Sequence, residues 1–293
     1  MIWPKSLSNR IKSKVNLTDY TTFKIGGQAE YFFEPKDIKE LQKVLISAKQ
    51  IGKRIFILGS GSNILISDTG LKGIVVRLTG KDFRKCSSGG SCIVAGSGLK
   101  LNELISFSMK KNLSGLEFLV GIPGTLGGCL AGNGGAWGKA IGELVDQVGV
   151  LDYNGKFKLL QNKQLKFGYR RSNLNKYIIL WAKLKLYAAK KKVIVAKLNE
   201  NLLQRKQSQG DNLPNAGCIF KNTDFGSAGR LIDACRLKGI TKGSAVISKR
   251  HANFILNAGN AKSKDVLSLM GLVQKKVQEK FKITLEPEIK IWD

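Results

Sequence analysis

The sequence predicts an α+β protein, and three observations predict it. Apolar residues recur at helical spacing in some segments and as short strand-like runs in others, and the two alternate along the chain. Hydrophobic residues make up 43% of 293 positions, enough for packed cores, and the length suits two or three small cores better than one. Glycine is abundant at 33 residues while proline is scarce at 5. That imbalance points to backbone that turns sharply or approaches a ligand closely, not to a flexible linker.

Residues 36–51 read as a helix, with Ile38, Leu41, Leu45, Ala48 and Ile51 on one face, Pro35 before it and Gly52 at its stop. Two apolar runs, Ile55 to Leu58 and Ile64 to Ile66, flank Gly59-Ser60-Gly61-Ser62-Asn63, giving strand, tight loop, strand. A helix near 101–111 leads into a stretch crowded with glycine from Gly121 to Gly138. Tyr177 to Tyr187 reads as a strand, and the charged, loosely helical residues 190–207 as a link between domains. Leu231, Ile232 and Cys235 fit a short helix, and Val266, Leu269, Met270, Val273 and Val277 a longer one for which Ser263 is the expected N-cap. Ile283 to Trp292 is strand-like but interrupted by Pro287.

The formal charge of +28 favours anionic ligands. Its lysines are scattered, without the clustered cations and interleaved aromatics of a nucleic-acid surface, so no nucleic-acid partner is expected. Five cysteines, none in a CxxC, and a single histidine leave no ligand set for zinc, and no metal is expected. Thiols in such a pattern fit a reducing cytoplasm. No N-terminal stretch has the order of a signal peptide and no apolar run is long enough to span a bilayer. A cytoplasmic protein without a membrane partner, and a monomer, is the expectation.

Two segments carry the chemistry. In Gly59-Ser60-Gly61-Ser62-Asn63, small residues let consecutive N–H groups converge on a phosphate, although a plain hairpin uses the same residues. In Gly121-Ile122-Pro123-Gly124-Thr125-Leu126-Gly127-Gly128, continuing through Asn133-Gly134-Gly135-Ala136, glycine is interleaved with apolar residues. Such a mixture weakens helix and strand alike and suits backbone lying against a large flat ligand.

Together these segments resemble the FAD-binding half of the bacterial UDP-N-acetylenolpyruvoylglucosamine reductases, or UDP-N-acetylmuramate dehydrogenases. The resemblance continues in Thr22-Phe23-Lys24-Ile25-Gly26-Gly27, Tyr169-Arg170-Arg171-Ser172, Ala216-Gly217-Cys218-Ile219-Phe220-Lys221-Asn222, Ser248 to Phe254, and Leu285-Glu286-Pro287-Glu288. These pieces occur in order over nearly the whole chain, at spacings similar to the compact form of the enzyme that lacks an inserted tyrosine loop.

The resemblance implies an FAD-binding domain of the vanillyl-alcohol oxidase type over 1–190, in two α+β subdomains of about 1–80 and 81–190. An α+β substrate-binding domain over 191–293 follows. FAD is the implied cofactor, held by Gly59, Ser60, Gly61, Ser62, Asn63, Gly121, Ile122, Pro123, Gly124, Thr125, Gly128, Asn133, Gly134 and Ala136. NADPH is the implied co-substrate and UDP-N-acetylglucosamine enolpyruvate the acceptor. Arg170 is implied to stabilise an enolate, Glu288 to help polarise the substrate and Cys218 to donate a proton. Many relatives have serine at that last position; a thiol, with a reference pKa of about 8.5, is still mostly protonated at neutral pH. Lys221, Asn222, Arg205 and His251 are implied to line the substrate site. Another FAD-linked oxidoreductase of the same fold would share the glycine segments without needing the Cys218 and Glu288 motifs.

Overall fold

A computed structural model describes residues 3–209 and 212–293. The chain forms two compact units. The first comprises residues 1–13, 31–60 and 73–204, the second residues 14–30, 61–72 and 205–293.

The first unit carries the helices α1 (Lys5–Ser8), α2 (Ile38–Gln50), α3 (Lys81–Arg84), α4 (Leu101–Lys110) and α5 (Leu126–Ala131). Helix α6 (Lys191–Gln209) spans the point, after Gln204, at which the chain leaves that unit. The α2 helix begins where Asp37 accepts the Glu40 N–H at 2.8 Å, and its Leu41, Val44, Leu45 and Ala48 are buried. They pack with Phe33, Ile74, Val76, Leu151 and Leu180 in one core. Ile55–Leu58 pairs in parallel with Ile74–Arg77, and in the latter strand the consecutive Ile74, Val75 and Val76 are buried on both faces. A second, five-stranded antiparallel sheet runs in the order Phe157–Gln161, Val145–Leu151, Ile178–Lys185, Cys92–Gly96, Cys86–Gly89. One of its faces packs Ile93, Ala95, Val148, Val150 and Leu184 against Leu101 and Leu104 of α4 and Leu126 and Leu130 of α5.

The second unit contains α7 (Ala228–Ala234) and α8 (Ser263–Phe281) over an antiparallel sheet. Its order is Asn215–Cys218, Phe254–Asn257, Ala245–Ile247, Thr241–Lys242. Val266, Leu269, Met270, Val273 and Val277 of α8 are buried at the predicted spacing. Each contributes roughly 1.5–3 kcal/mol of transfer free energy before entropy is subtracted. Ser263 is the first residue of α8, and Lys262 holds the cap position. The cap is supplied from outside the helix: Asp68 accepts from Ser263 N at 2.9 Å, Ser263 Oγ at 2.8 Å and Lys264 N at 3.3 Å. A carboxylate satisfies these orphan amides better than a serine side chain, which is why the local cap signal is overridden.

The strand, tight loop, strand order holds, but the plain-hairpin alternative for the loop does not: Ile55–Leu58 pairs with Ile74–Arg77, and Ile64–Ile66 pairs in parallel with Lys290–Trp292. The strand expected over 283–292 is therefore confined to Lys290–Trp292, with only an isolated bridge between Phe220 and Pro287 before it. Proline has no N–H to extend a ladder in that direction.

Among the described residues no disulfide is present, no group of His, Cys, Asp or Glu is arranged to hold a metal ion, and no helix is long and apolar enough to cross a membrane.

Candidate active site

The first unit gathers Gly59, Ser60, the 121–136 segment and Arg170. Thr125 caps α5, its hydroxyl accepting from Gly128 N at 3.3 Å, while Leu126, Cys129 and Leu130 are buried beneath. Leu126 N donates to Leu99 O at 2.9 Å and Gly127 N to Ser97 O at 2.8 Å, which pins the segment to the sheet side of the unit. Gly59 lies directly against it: a Cβ there would stand 2.7 Å from Thr125 Oγ1. Gly59 of the first glycine segment is thus adjacent in space to Thr125 of the second. Gly121, Pro123 and Gly128 are exposed.

Asn133 adopts a left-handed φ of 45° and is buried. Its side chain accepts from Gly142 N at 2.9 Å and donates to Gly168 O at 2.9 Å, so the amide braces the segment from inside. Arg170 occupies the turn between Phe167–Gly168 and Arg171–Ser172, at a φ of 52°. Left-handed backbone costs a non-glycine residue about 1–2 kcal/mol, and here it is held by neighbours. Nη1 of Arg170 donates to Gly135 O at 3.1 Å, its guanidinium lies 5.3 Å from the centre of the Tyr169 ring, and Ser172 Oγ donates to Ala131 O at 2.9 Å. Arg171 is exposed and Arg170 half-buried, a distinction that two adjacent arginines in a sequence do not reveal. Burial pushes the Cys129 thiol up to about 12, against the opposing pull of the Gly134 backbone and the Arg170 charge. That thiol is a packing group at neutral pH.

In the second unit, Gly61 has a φ of 63° and a Cβ there would stand 2.2 Å from Tyr20 O. Thr22 N donates to Gly61 O at 3.1 Å, and Thr22 Oγ1 donates to Asn215 O at 2.8 Å. Thr22, at the start of the Thr22–Gly27 signature, therefore braces Gly61. Cys218 is half-buried at the end of a strand that shifts register between Asn215 and Cys218. The displaced backbone beyond it is caught by Asn253, which is 2% exposed: Oδ1 accepts from Phe220 N at 2.9 Å and Nδ2 donates to Phe220 O at 2.8 Å. Glu288 N donates to Ile219 O at 2.8 Å, placing the Glu288 backbone beside the residue that follows Cys218.

Lys221 Nζ pairs with Glu286 at 2.9 Å, and their backbones are joined by a 2.9 Å bond from Lys221 N to Glu286 O. Glu286 is the more exposed of the two carboxylates in its motif, and Glu288 is half-buried. Asn222 Oδ1 accepts from Ala228 N at 3.1 Å at the start of α7. The His251 ring packs 4.4 Å from that of Phe254, and its backbone N–H is bonded to Ser248 Oγ at 2.9 Å. Arg205 is half-buried on α6.

Three bracing residues escaped the sequence reading. They are Asn253, Asp68 and the buried Glu117, which accepts from Ser114 Oγ at 2.6 Å and Gly115 N at 2.8 Å just ahead of the glycine segment. Their only sequence signal was position within or beside a motif. Asn253→Ala is expected to destabilise the fold by about 2–4 kcal/mol, because two buried backbone groups lose their partners. Urea unfolding followed by circular dichroism would check this, and a loss under about 1 kcal/mol would contradict it.

The exposed Gly121 and Gly128, the Thr125 hydroxyl at the start of α5 and the guanidinium of Arg170 at the Gly135 carbonyl all belong to the first unit. A family model described as "FAD binding domain" matches residues 29–160. The class is therefore a flavin-dependent oxidoreductase. A second model, the C-terminal domain of UDP-N-acetylenolpyruvoylglucosamine reductase, matches residues 207–292. The reductase of that name from Synechococcus sp. (strain JA-3-3Ab) is 41% identical over 97% of this chain and 92% of its own length. That of Listeria monocytogenes serotype 4a is 38% identical over 96% and 94%. A crystal structure of the Thermus caldophilus reductase superposes with a TM-score of 0.84 at 35% identity, covering 97% of this chain and 99% of that one. The chain belongs to the UDP-N-acetylenolpyruvoylglucosamine reductase family.

Proposed function

We propose that the protein reduces the enolpyruvyl group of UDP-N-acetylglucosamine enolpyruvate to give UDP-N-acetylmuramate, a step in peptidoglycan precursor synthesis, with NADPH as reductant. The reading is carried by likeness to reductases of that name over nearly the whole length of both chains. Bound FAD would supply the relay of hydride from NADPH to the methylene carbon of the substrate. Gly59–Asn63, Gly121–Thr125, Gly128, Gly134 and Ala136 would hold it through backbone N–H groups and hydroxyls, with Asn133 bracing from below. Negative charge then develops on the adjacent carbon and carboxylate. Arg170 stabilises that charge, since its guanidinium can form paired N–H bonds to a carboxylate. Glu288 helps polarise the same group, and Cys218 delivers the Sγ proton to the carbon, completing addition of hydride and proton across the double bond. Lys221, Asn222, Arg205 and His251 bind the nucleotide sugar. We place the enzyme in the cytoplasm as a monomer that needs neither membrane nor nucleic acid.

Anaerobic titration tests this reading. The purified protein with FAD should show flavin absorption that bleaches with NADPH and recovers on adding UDP-N-acetylglucosamine enolpyruvate. Flavin that bleaches without recovery would redirect the search to another acceptor, and failure to bind FAD would overturn the reading.

A further inference from the structure

Asn63 closes the Gly/Ser loop and directly precedes the strand Ile64–Ile66. Its side-chain Nδ2 donates to the Glu288 carbonyl at 3.2 Å, and its own carbonyl accepts from Lys290 N at 3.1 Å. One residue therefore brackets the Glu288–Lys290 backbone at the point where Lys290 enters register with Ile64. On the other side the Glu288 N–H is bonded to Ile219 O at 2.8 Å. Both backbone polar groups of Glu288 are thus engaged. One faces the strand that carries Cys218, and the other faces the loop.

Glu288 lies just after a proline and before the strand Lys290–Trp292 begins, beside the short antiparallel bridge closed by the Lys221 N to Glu286 O and Glu288 N to Ile219 O bonds. Its carbonyl accepts from the Asn63 side-chain amide. Beyond the strand Ile64–Ile66 the chain is tied down again, because Asp68 is locked to the start of α8. A displacement of Asn63 acts directly on its two bonded partners in the Glu288–Lys290 backbone.

We propose that Asn63 is the positioning residue for Glu288, coupling the order of the cofactor loop to the placement of the carboxylate that acts on the substrate. The proposal rests on the role given to Glu288 above. One of the two Asn63 amide hydrogens is committed to this task, so its contribution is separate from any it makes to a phosphate.

Two variants and one exchange measurement test it. At saturating FAD, Asn63→Ala should slow the limiting rate of flavin reoxidation by the enolpyruvyl substrate about 10- to 100-fold, the scale of a misplaced catalytic group. Reoxidation should fall at least about tenfold more than reduction by NADPH does, a split that general unfolding or poorer FAD placement alone would not produce. Without any ligand, amide hydrogen exchange over residues 284–293 should be faster in Asn63→Ala than in the unaltered apoprotein, a readout independent of activity. Glu288→Gln serves as the reference and should slow reoxidation at least as much as Asn63→Ala. If Glu288→Gln slows reoxidation while Asn63→Ala weakens only FAD binding and leaves exchange over 284–293 unchanged, the coupling is overturned and Asn63 serves the cofactor alone. If Glu288→Gln reoxidises normally, the role of Glu288 itself fails, and the proposal with it.

Discussion

Cys218→Ala is expected to leave reduction of the flavin by NADPH within about threefold of normal and to slow its reoxidation by the enolpyruvyl substrate about 10²- to 10⁴-fold, the usual worth of a positioned acid. The first half-reaction needs no proton from this residue, whereas the second leaves a carbanion-like centre that must be protonated. The local structure supports a fixed donor. Cys218 sits where the strand slips register, with Gly217 at a φ of 76° before it and the fully buried Ile219 after it. Beyond Ile219 the backbone is clamped by Asn253. Alanine removes the Sγ proton without disturbing any of these anchors. Serine supplies a hydroxyl of similar reach, so Cys218→Ser should recover activity to within about tenfold of the parent. Anaerobic stopped-flow absorbance separates the two half-reactions. Near-normal reoxidation in the alanine variant would remove Cys218 as the obligatory acid.

The second large effect is expected at Arg170. Arg170→Lys keeps the positive charge but loses the planar fork, and substrate-driven reoxidation should fall about 10²- to 10³-fold, the cost of one transition-state donor. The Gly135 carbonyl bond, the Tyr169 ring and the turn backbone aim the guanidinium; a lysine ammonium on a flexible stem has no comparable set of anchors. Arg171→Lys, at the exposed neighbour, is the matched control and should change rates by less than about twofold. A loss at Arg170 of less than threefold would show that charge near the hairpin and not geometry is what matters, and an equal loss at Arg171 would remove the distinction between the two arginines.

Elements whose packing follows their own period were legible. Helix α2 was expected over 36–51 and spans Ile38–Gln50, and α4, expected near 101–111, spans Leu101–Lys110. The buried face of α8 is the apolar series that its sequence shows. The glycine segments were legible for a related reason: glycine stands where a Cβ would meet a neighbour, as at Gly61 under the Tyr20 carbonyl and Gly59 against the Thr125 hydroxyl. The serine cap of α8 and the long C-terminal strand were misjudged. In each case a distant segment displaced the local preference.

The sequence by itself determined the alternation of helix and strand, the two ligand-type glycine segments and the family. Each of these is written in local periods or contiguous motifs. The tertiary structure decided which of the adjacent arginines reaches the glycine segment and that residues 61–72 belong with the C-terminal unit. It also decided that Asn63 bonds the Glu288 backbone, Asp68 the start of α8 and Asn253 the Phe220 backbone. Asp68 meets Ser263 across 195 positions and Asn63 meets Glu288 across 225. A hydrogen bond between residues so far apart leaves no period and no motif in the chain. Only the packing that buries their backbone makes such a partner necessary.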